Sequence, residues 1–312
     1  MEIKTKTVDV IIPTYKPDEK FLQLLDRLSQ QTVPVSHIIV MNTEEKYFER
    51  LIYGTDFANR YRNVEVYHLS GREFDHGRTR NDGVMRSKAE IFICMTQDAI
   101  PADEHLIEAL LEGLAREDVA VAYARQLPAS DCHILERFTR EFNYPETPCV
   151  KSLEDIQRLG IKTYFCSNVC AAYDKETFVR LGGFIRRTIF NEDMIYAAGA
   201  VQAGLRIAYA PEARVIHSHN YTAIEQFRRN FDLGVSQADH PEIFQAISSE
   251  SEGIRMIKQT VRYLQEQGQL WKIPELFVKS GFKFLGYRLG KNYRRLPRGL
   301  ILRWSMNKRY WN

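Results

Sequence analysis

The stretch "EIFICMTQDAIP", residues 90–101, sets five apolar residues in a row, Ile91 to Met95, ahead of a lone carboxylate, Asp98, and a proline. A short unbroken apolar run bounded by turn residues fits a strand buried on both faces. Such strands belong to largely parallel sheets sandwiched between helices. Asp98 then stands just past the carboxyl end of a strand, where open α/β sheets bind their ligands. The alternative is an ordinary polar strand end.

The same form recurs outward from there. "VDVIIPTY" (8–15) is β-rich and ends in Pro-Thr, and "HIIVMN" (37–42), "VEVYHL" (64–69) and "VAVAYA" (119–124) read as further strands. Between them the spacing turns helical: Phe21, Leu24, Leu25 and Leu28 share one face of 21–31, and 106–116 repeats the pattern. A polar loop, "SGREFDHGRTRNDG", leads into a third helix ending near Lys88. Alternating strands and helices predict an α/β fold with a mostly parallel sheet covered on both faces. Thr14, Asn42, the Asp75 loop and Asp98 all fall at strand ends, so they are expected to converge on one site.

With 312 residues, 44% of them hydrophobic and 27% charged, the chain can bury a sizeable core as one or two domains. Its five cysteines form no CxxC pair, the N-terminus shows no targeting pattern, and no window approaches the roughly 18 to 20 apolar residues of a membrane span. The expected setting is a reducing cytoplasm. The net charge of +3 hides an asymmetry. From Arg255 onward, 14 Lys and Arg face only Glu266 and Glu275, a net +12, whereas the preceding residues carry 29 basic and 38 acidic side chains, a net −9. The tail also interleaves its basic residues with Phe, Tyr and Trp, which suits an anionic membrane surface. A solvated helical subdomain with a basic face is the alternative, and no nucleic-acid-binding module is present. Helical patterns take over from about residue 225. The expected division is a catalytic domain at 1–235 and a helical basic region at 236–312.

Three more groups carry chemistry. Glu192-Asp193 precedes an apolar helical run, Met194 to Ala203; there an acid can act as a base or merely complement a helix start. His217 and His219, two apart in "VIHSHN", lie on one side of an extended segment, and no Cys or His cluster has zinc spacing. In "DHGRTRN" (75–81), Arg78 and Arg80 suit phosphate oxygens, and Gly77 permits close backbone approach. The same loop could simply be solvated.

Taken in order, "VDVIIPTY", "FDHGRTRNDG", "FICMTQDAIP" and "LGGFIRRTIFNEDMIYAAGAVQAGLRIAYAPEARVIH" resemble the inverting family 2 glycosyltransferases. The version "FDHGRTRN … TQDAIP … HSHNY" looks like their rhamnosyltransferase branch. The likeness covers roughly residues 8–235. It implies a GT-A fold, a nucleotide-sugar donor and a divalent metal, Mn²⁺ or Mg²⁺. It makes Asp98 a metal ligand, with His217, or His219 in reserve, contributing a metal or diphosphate contact. The family commonly has an acid-x-acid pair where this chain has Thr96-Gln97-Asp98, so one carboxylate replaces two. It makes Asp193 the general base, supported by Glu192. Donor contacts are implied for Thr14, Tyr15, Asn42, Asp75, His76, Gly77, Arg78, Arg80, Asn81 and Gln97, although Asn42 stands where the family usually has Asp. Acceptor contacts are implied for Ser167 and Asn168, which could equally end a strand.

The resemblance points to transfer of L-rhamnose from dTDP-L-rhamnose to a lipid-linked saccharide in bacterial surface polysaccharide assembly, by an enzyme peripheral to the cytoplasmic face of the membrane. A UDP-hexose donor is the near rival. A nucleotidyltransferase would need a glycine-rich phosphate loop, which "IPTYKPDEK" lacks. A non-catalytic membrane-surface module would leave Asp98, Asp193 and His217 unexplained.

Overall fold

The computed structural model describes residues 6–245 and 250–311. Among them, nine strands form one sheet: β1 (Val8–Tyr15), β2 (His37–Thr43), β3 (Val64–Leu69), β4 (Ile91–Met95), β5 (Ile100–Pro101), β6 (Val119–Leu127), β7 (Cys149–Lys151), β8 (Cys170–Asp174) and β9 (Arg206–Ile216). The order is β3-β2-β1-β4-β8-β6-β9-β5, with β7 also on β9. β3, β2, β1 and β4 are mutually parallel, as the alternation of strands and helices predicts. β8 joins antiparallel between β4 and β6, while β6 and β9 are again parallel.

The apolar runs are buried on both faces. On β1, Val8, Val10 and Ile12 pack into one core with Phe21, Leu24, Leu25 and Leu28 of helix Glu19–Ser29. Ile11 faces the other core, with Val84, Phe92 and Tyr173. β4 splits likewise: Ile91, Ile93 and Met95 on one side, Phe92 and Cys94 on the other. Asp9, the one charge in β1, is buried and fully engaged. It accepts from His37 N at 3.0 Å, the Ser87 hydroxyl at 2.7 Å and the backbone N–H of Lys88 and Ala89. It pins the amino ends of β1 and β2 to the turn before β4, which holds the opposite strand ends in register.

Among the described residues, three other than glycine have left-handed backbone: Lys16 (φ 50°), Glu44 (φ 66°) and Asn191 (φ 66°). They follow β1, follow β2 and precede helix Glu192–Gln202. Strain of this kind persists only where the surroundings enforce it, and it collects at functional sites.

Beyond the sheet, helix Ala223–Asp239 opens with a capping box: Thr222 accepts from Glu225 N while the Glu225 carboxylate accepts from Thr222 N at 2.8 Å. It lies against helix Ile273–Lys291 at close quarters. A Cβ on Gly286 or Gly290 would collide with the carbonyls of Phe227 or Phe231, and one on Gly234 with that of Tyr287. Helix Glu250–Glu266 packs on helix Ile134–Asn143 through Tyr263 and Phe138. No helix of the described residues is long and apolar enough to cross a membrane.

Candidate active site

The ends of β1 to β4 are tied to one another by side chains. The Thr14 hydroxyl donates to Asn42 Oδ1 at 3.0 Å, and Asn42 Nδ2 meets His68 Nδ1 at 2.9 Å. Tyr15 N donates to Gln97 Oε1 at 2.8 Å, and Gln97 Nε2 returns a bond to the Tyr15 carbonyl. The turn that carries Asp98 is thereby fixed to the end of β1.

Asp98 meets the segment that follows β9. His217 Nε2 lies 3.6 Å from Asp98 Oδ1, His219 Nε2 lies 3.3 Å from Oδ2, and the two imidazole nitrogens are 3.1 Å apart. One ligand atom from each of the three falls within 4.8 Å of the others. Burial pushes His217 down to about 3, against the pull of Asp98, so its ring is neutral. Its Nδ1 sits 3.0 Å from Gln126 Oε1, which also accepts from Arg140. An oxygen partner requires the proton on Nδ1, which leaves the Nε2 lone pair facing Asp98. This is the arrangement of a metal-ligating histidine backed by an outer partner.

The same cavity, about 290 Å³, is lined by His76, Arg80, Thr96, Asp98, Ser167, Asn168, Glu192, Asp193, His217, His219, Tyr221 and Arg229 among others. Thr96 Oγ1 and Arg80 Nε, on its wall, are buried without a partner among the described residues. Unpaired buried polar atoms of this kind call for a ligand or water.

Glu192 and Asp193 open their helix with different environments. Glu192 is buried, 3.0 Å from the Arg80 guanidinium and 3.1 Å from Asn168 Nδ2. Burial is the largest influence and works against its charge, but Arg80, His76 and the Asn168 hydrogen bond together hold the carboxyl below its usual range. Asp193 accepts from the backbone N–H of Asn168 at 2.9 Å and of Met194 at 2.8 Å. Burial and the neighbouring Glu192 charge nevertheless push it up to about 7. Two adjacent carboxyls with values driven apart are the pattern of an acid kept ionised beside a working base.

The structure therefore brings Asp98, His217, His219, Glu192, Asp193, Ser167, Asn168, His76 and Arg80 to one cavity, with Thr14, Tyr15, Asn42 and Gln97 on the adjoining strand ends. Four other candidates are engaged within the protein. Asp75 caps helix His76–Arg86 by accepting from Gly77 N and Arg78 N, and its other oxygen takes Thr188 N. Gly77 lets that helix approach the Ile185 carbonyl. Arg78 donates to the Glu73 carbonyl. Asn81 pairs twice with the Phe184 backbone. Asn168 likewise uses its side chain inside the protein, on Glu192 and Tyr173. Residues the sequence reading missed are Gln126, Arg140, Tyr144 and Arg229. Gln126 escaped because β6 runs to Leu127, three residues beyond the expected strand, and places Gln126 near its carboxyl end.

Comparison with known proteins identifies the family. The profile for Glycosyl transferase family 2 matches residues 9–182. The O-antigen chain rhamnosyltransferase RfbN of Salmonella typhimurium is 39% identical over 98% of this chain and 96% of its own length. WbaN of Salmonella anatum, named for the same activity, is 38% identical over 97% and 95%. Two solved structures share the fold at 14% identity. They are the mannosyltransferase PcManGT of Pyrobaculum calidifontis, in complex with GDP-Man and Mn²⁺ (TM-score 0.57, 99% of this chain and 85% of that one), and S. aureus TarS 1–349 with UDP-GlcNAc (TM-score 0.54, 93% and 92%). The strand ends, the acid pair and the profile lead to one conclusion: this chain belongs to glycosyl transferase family 2 and is a glycosyltransferase with a GT-A fold.

Proposed function

We propose that the enzyme transfers L-rhamnose from dTDP-L-rhamnose to a saccharide carried on a polyprenyl lipid, during bacterial surface polysaccharide assembly. The observation that carries the sugar is the near full-length similarity to two proteins named as O-antigen chain rhamnosyltransferases. The observation that carries the chemistry is the meeting of Asp98, His217 and His219 in the cavity that also holds Asp193.

Asp98, His217 and His219 fit a divalent ion: one carboxylate and two imidazoles, one of them neutral and backed by Gln126. Two nitrogen ligands favour Mn²⁺ over Mg²⁺, which prefers oxygen. When bound, such an ion offsets the negative charge that grows on the departing nucleoside diphosphate. Asp193 accepts the proton of the acceptor hydroxyl as it attacks the anomeric carbon from the face opposite the leaving group. Asn168 N and Met194 N aim that carboxylate, and Arg80 keeps Glu192 ionised beside it. Ser167, on the same wall, is placed to bond acceptor hydroxyls, while Asn168 positions the two acids.

The basic helical region serves as the membrane contact. Its exposed surface carries Trp271, Phe277, Val278, Phe284 and Leu285 among its basic residues. Exposed aromatic and aliphatic side chains interleaved with Lys and Arg suit a headgroup interface.

The test is a panel of dTDP-, UDP- and GDP-sugars with a saccharide acceptor, with and without Mn²⁺. Transfer from dTDP-L-rhamnose alone is the expected result, and preference for a UDP-hexose overturns the sugar assignment. Asp98→Asn should abolish transfer and the Mn²⁺-dependent part of dTDP binding. Unchanged metal dependence in that variant removes Asp98 from the metal site.

A further inference from the structure

The segment 305–311 leaves the helical region and returns to the sheet. Its path is held at several points. Asp232, buried in helix Ala223–Asp239, accepts from the backbone N–H of Met306 and of Asn307, each at 2.9 Å. Trp311 packs edge-on against Tyr293 and Tyr310, and Arg298 donates to the Trp311 carbonyl at 3.1 Å.

These anchors deliver Arg309 to the ends of β1 and β2. Its guanidinium carbon lies 5.1 Å from the centre of the Tyr15 ring, and its Nη2 lies 3.4 Å from the Tyr15 hydroxyl. It sits so near Gly71 that a Cβ there would strike the guanidinium. Arg309 thereby walls a cavity of about 670 Å³ whose other lining residues are Glu44, Ser70, Gly71 and Arg72. This cavity is separate from the one that holds Asp98, but Tyr15, which Arg309 covers, is clasped to Gln97, the neighbour of Asp98. Neither Arg72 nor Arg309 forms an ion pair among the described residues. Glu44 lines the same cavity and accepts from Gly71 N at 2.8 Å, so two guanidiniums face one carboxylate; the surplus positive charge favours an anionic ligand, and the planar forks match phosphate oxygens.

We propose that Arg309 is a donor-binding residue: together with Arg72 it takes the nucleoside diphosphate part of the donor, so that segment 305–311 forms one wall of the donor site. The inference rests on the nucleotide-sugar reading above, and it adds a residue that lies far outside the 9–182 span of the family profile.

The test is calorimetric titration with dTDP in Mn²⁺, with UDP and GDP as companions, on wild type, Arg309→Ala, Arg309→Lys and Lys308→Ala. Losing a charge-assisted contact weakens binding by about tenfold or more. Arg309→Ala should show that loss, Arg309→Lys an intermediate one, and Lys308→Ala, which removes a neighbouring exposed charge, none. In turnover, Arg309→Ala should lower kcat/KM for the donor by at least as much as it weakens dTDP binding, because the charge on the departing diphosphate grows in the transition state. Thermal denaturation should place all four proteins together. If wild type binds no nucleoside diphosphate, the donor reading falls and Arg309 falls with it. If wild type binds and Arg309→Ala binds equally well, or Lys308→Ala weakens binding as much, the Arg309 assignment alone is overturned.

Discussion

At the scale of single residues, Asp193 and Glu192 show how adjacent carboxyls acquire different work. Glu192 is buried with a guanidinium beside it, whereas Asp193 is half-buried and forms no ion pair among the described residues. Asp193, pushed up to about 7, should be half-protonated near neutrality. A base must be ionised to act, so log kcat/KM should climb with unit slope below about pH 7 and level off above it. His217, at about 3, does not titrate in that window. Asp193→Asn should lower turnover by about 10² to 10⁴ and leave dTDP affinity within a few-fold; equal collapse of both would move Asp193 into the donor site. For stability the sign reverses. A carboxyl whose native value is raised binds its proton more tightly folded than unfolded, so Asp193 subtracts stability as pH rises from the ordinary carboxylate range through 7. Glu192 has the opposite sign in a lower window: its stabilisation is complete above the ordinary carboxylate range and is lost as pH falls below it. Asp98 was legible because it is the one acid at the end of an unmistakable buried strand. Gln126 was not, since its strand continues past its apolar run into "RQL". Asp75 looked like a ligand because capping and phosphate-binding loops share their residue types, and only the fold reveals which partners it meets.

At the scale of elements, helix Ile273–Lys291 is set by glycine. Gly286 and Gly290 bring its backbone onto that of helix Ala223–Asp239. Gly290→Leu forces the helices apart and should cost about 1–3 kcal/mol, the range for overpacking. Gly281, in the same helix, faces open space. There, Ala removes backbone freedom from the unfolded chain without a clash and should stabilise by up to about 1 kcal/mol. Thermal denaturation of the pair separates the two cases; equal shifts would mean the close approach is not what fixes the helix pair. The four parallel strands were legible from unbroken apolar runs. β9 was not, because "RIAYAPEARVI" contains a proline and three charges. The pairing with β6 jumps from Ala124–Ala210 to Arg125–Arg214, so Pro211 falls in an irregularity where its missing N–H is tolerated. β8, "CAAYD", is short and alanine-rich, and it holds its place through Phe92–Tyr173 stacking rather than through strand propensity.

At the scale of the molecule, the uneven charge is the feature with the widest reach: +12 from Arg255 onward against −9 before it. Each Lys or Arg near an anionic surface adds roughly 1 kcal/mol, within a Debye length. The protein should therefore sediment with anionic vesicles at low salt and be released at high salt, with Trp271→Ser and Phe284→Ser weakening capture. Equal capture by neutral vesicles, or none by either, would return the region to an ordinary basic helical layer. The α/β architecture and the convergence of strand ends were readable from local patterns. The return of segment 305–311 to the sheet was not, since nothing in "NKRYW" names the distant tyrosine it meets.

That return has a consequence for how the protein is made. Tyr15 and Arg309 stand 294 positions apart along the chain. During translation, Asp98, Asp193 and both histidines emerge from the ribosome before the residue that walls the cavity beside Tyr15. A message cut short after codon 304 would encode the whole sheet and every acid and imidazole of the candidate site, yet yield a product whose cavity beside Tyr15 stands open on one side.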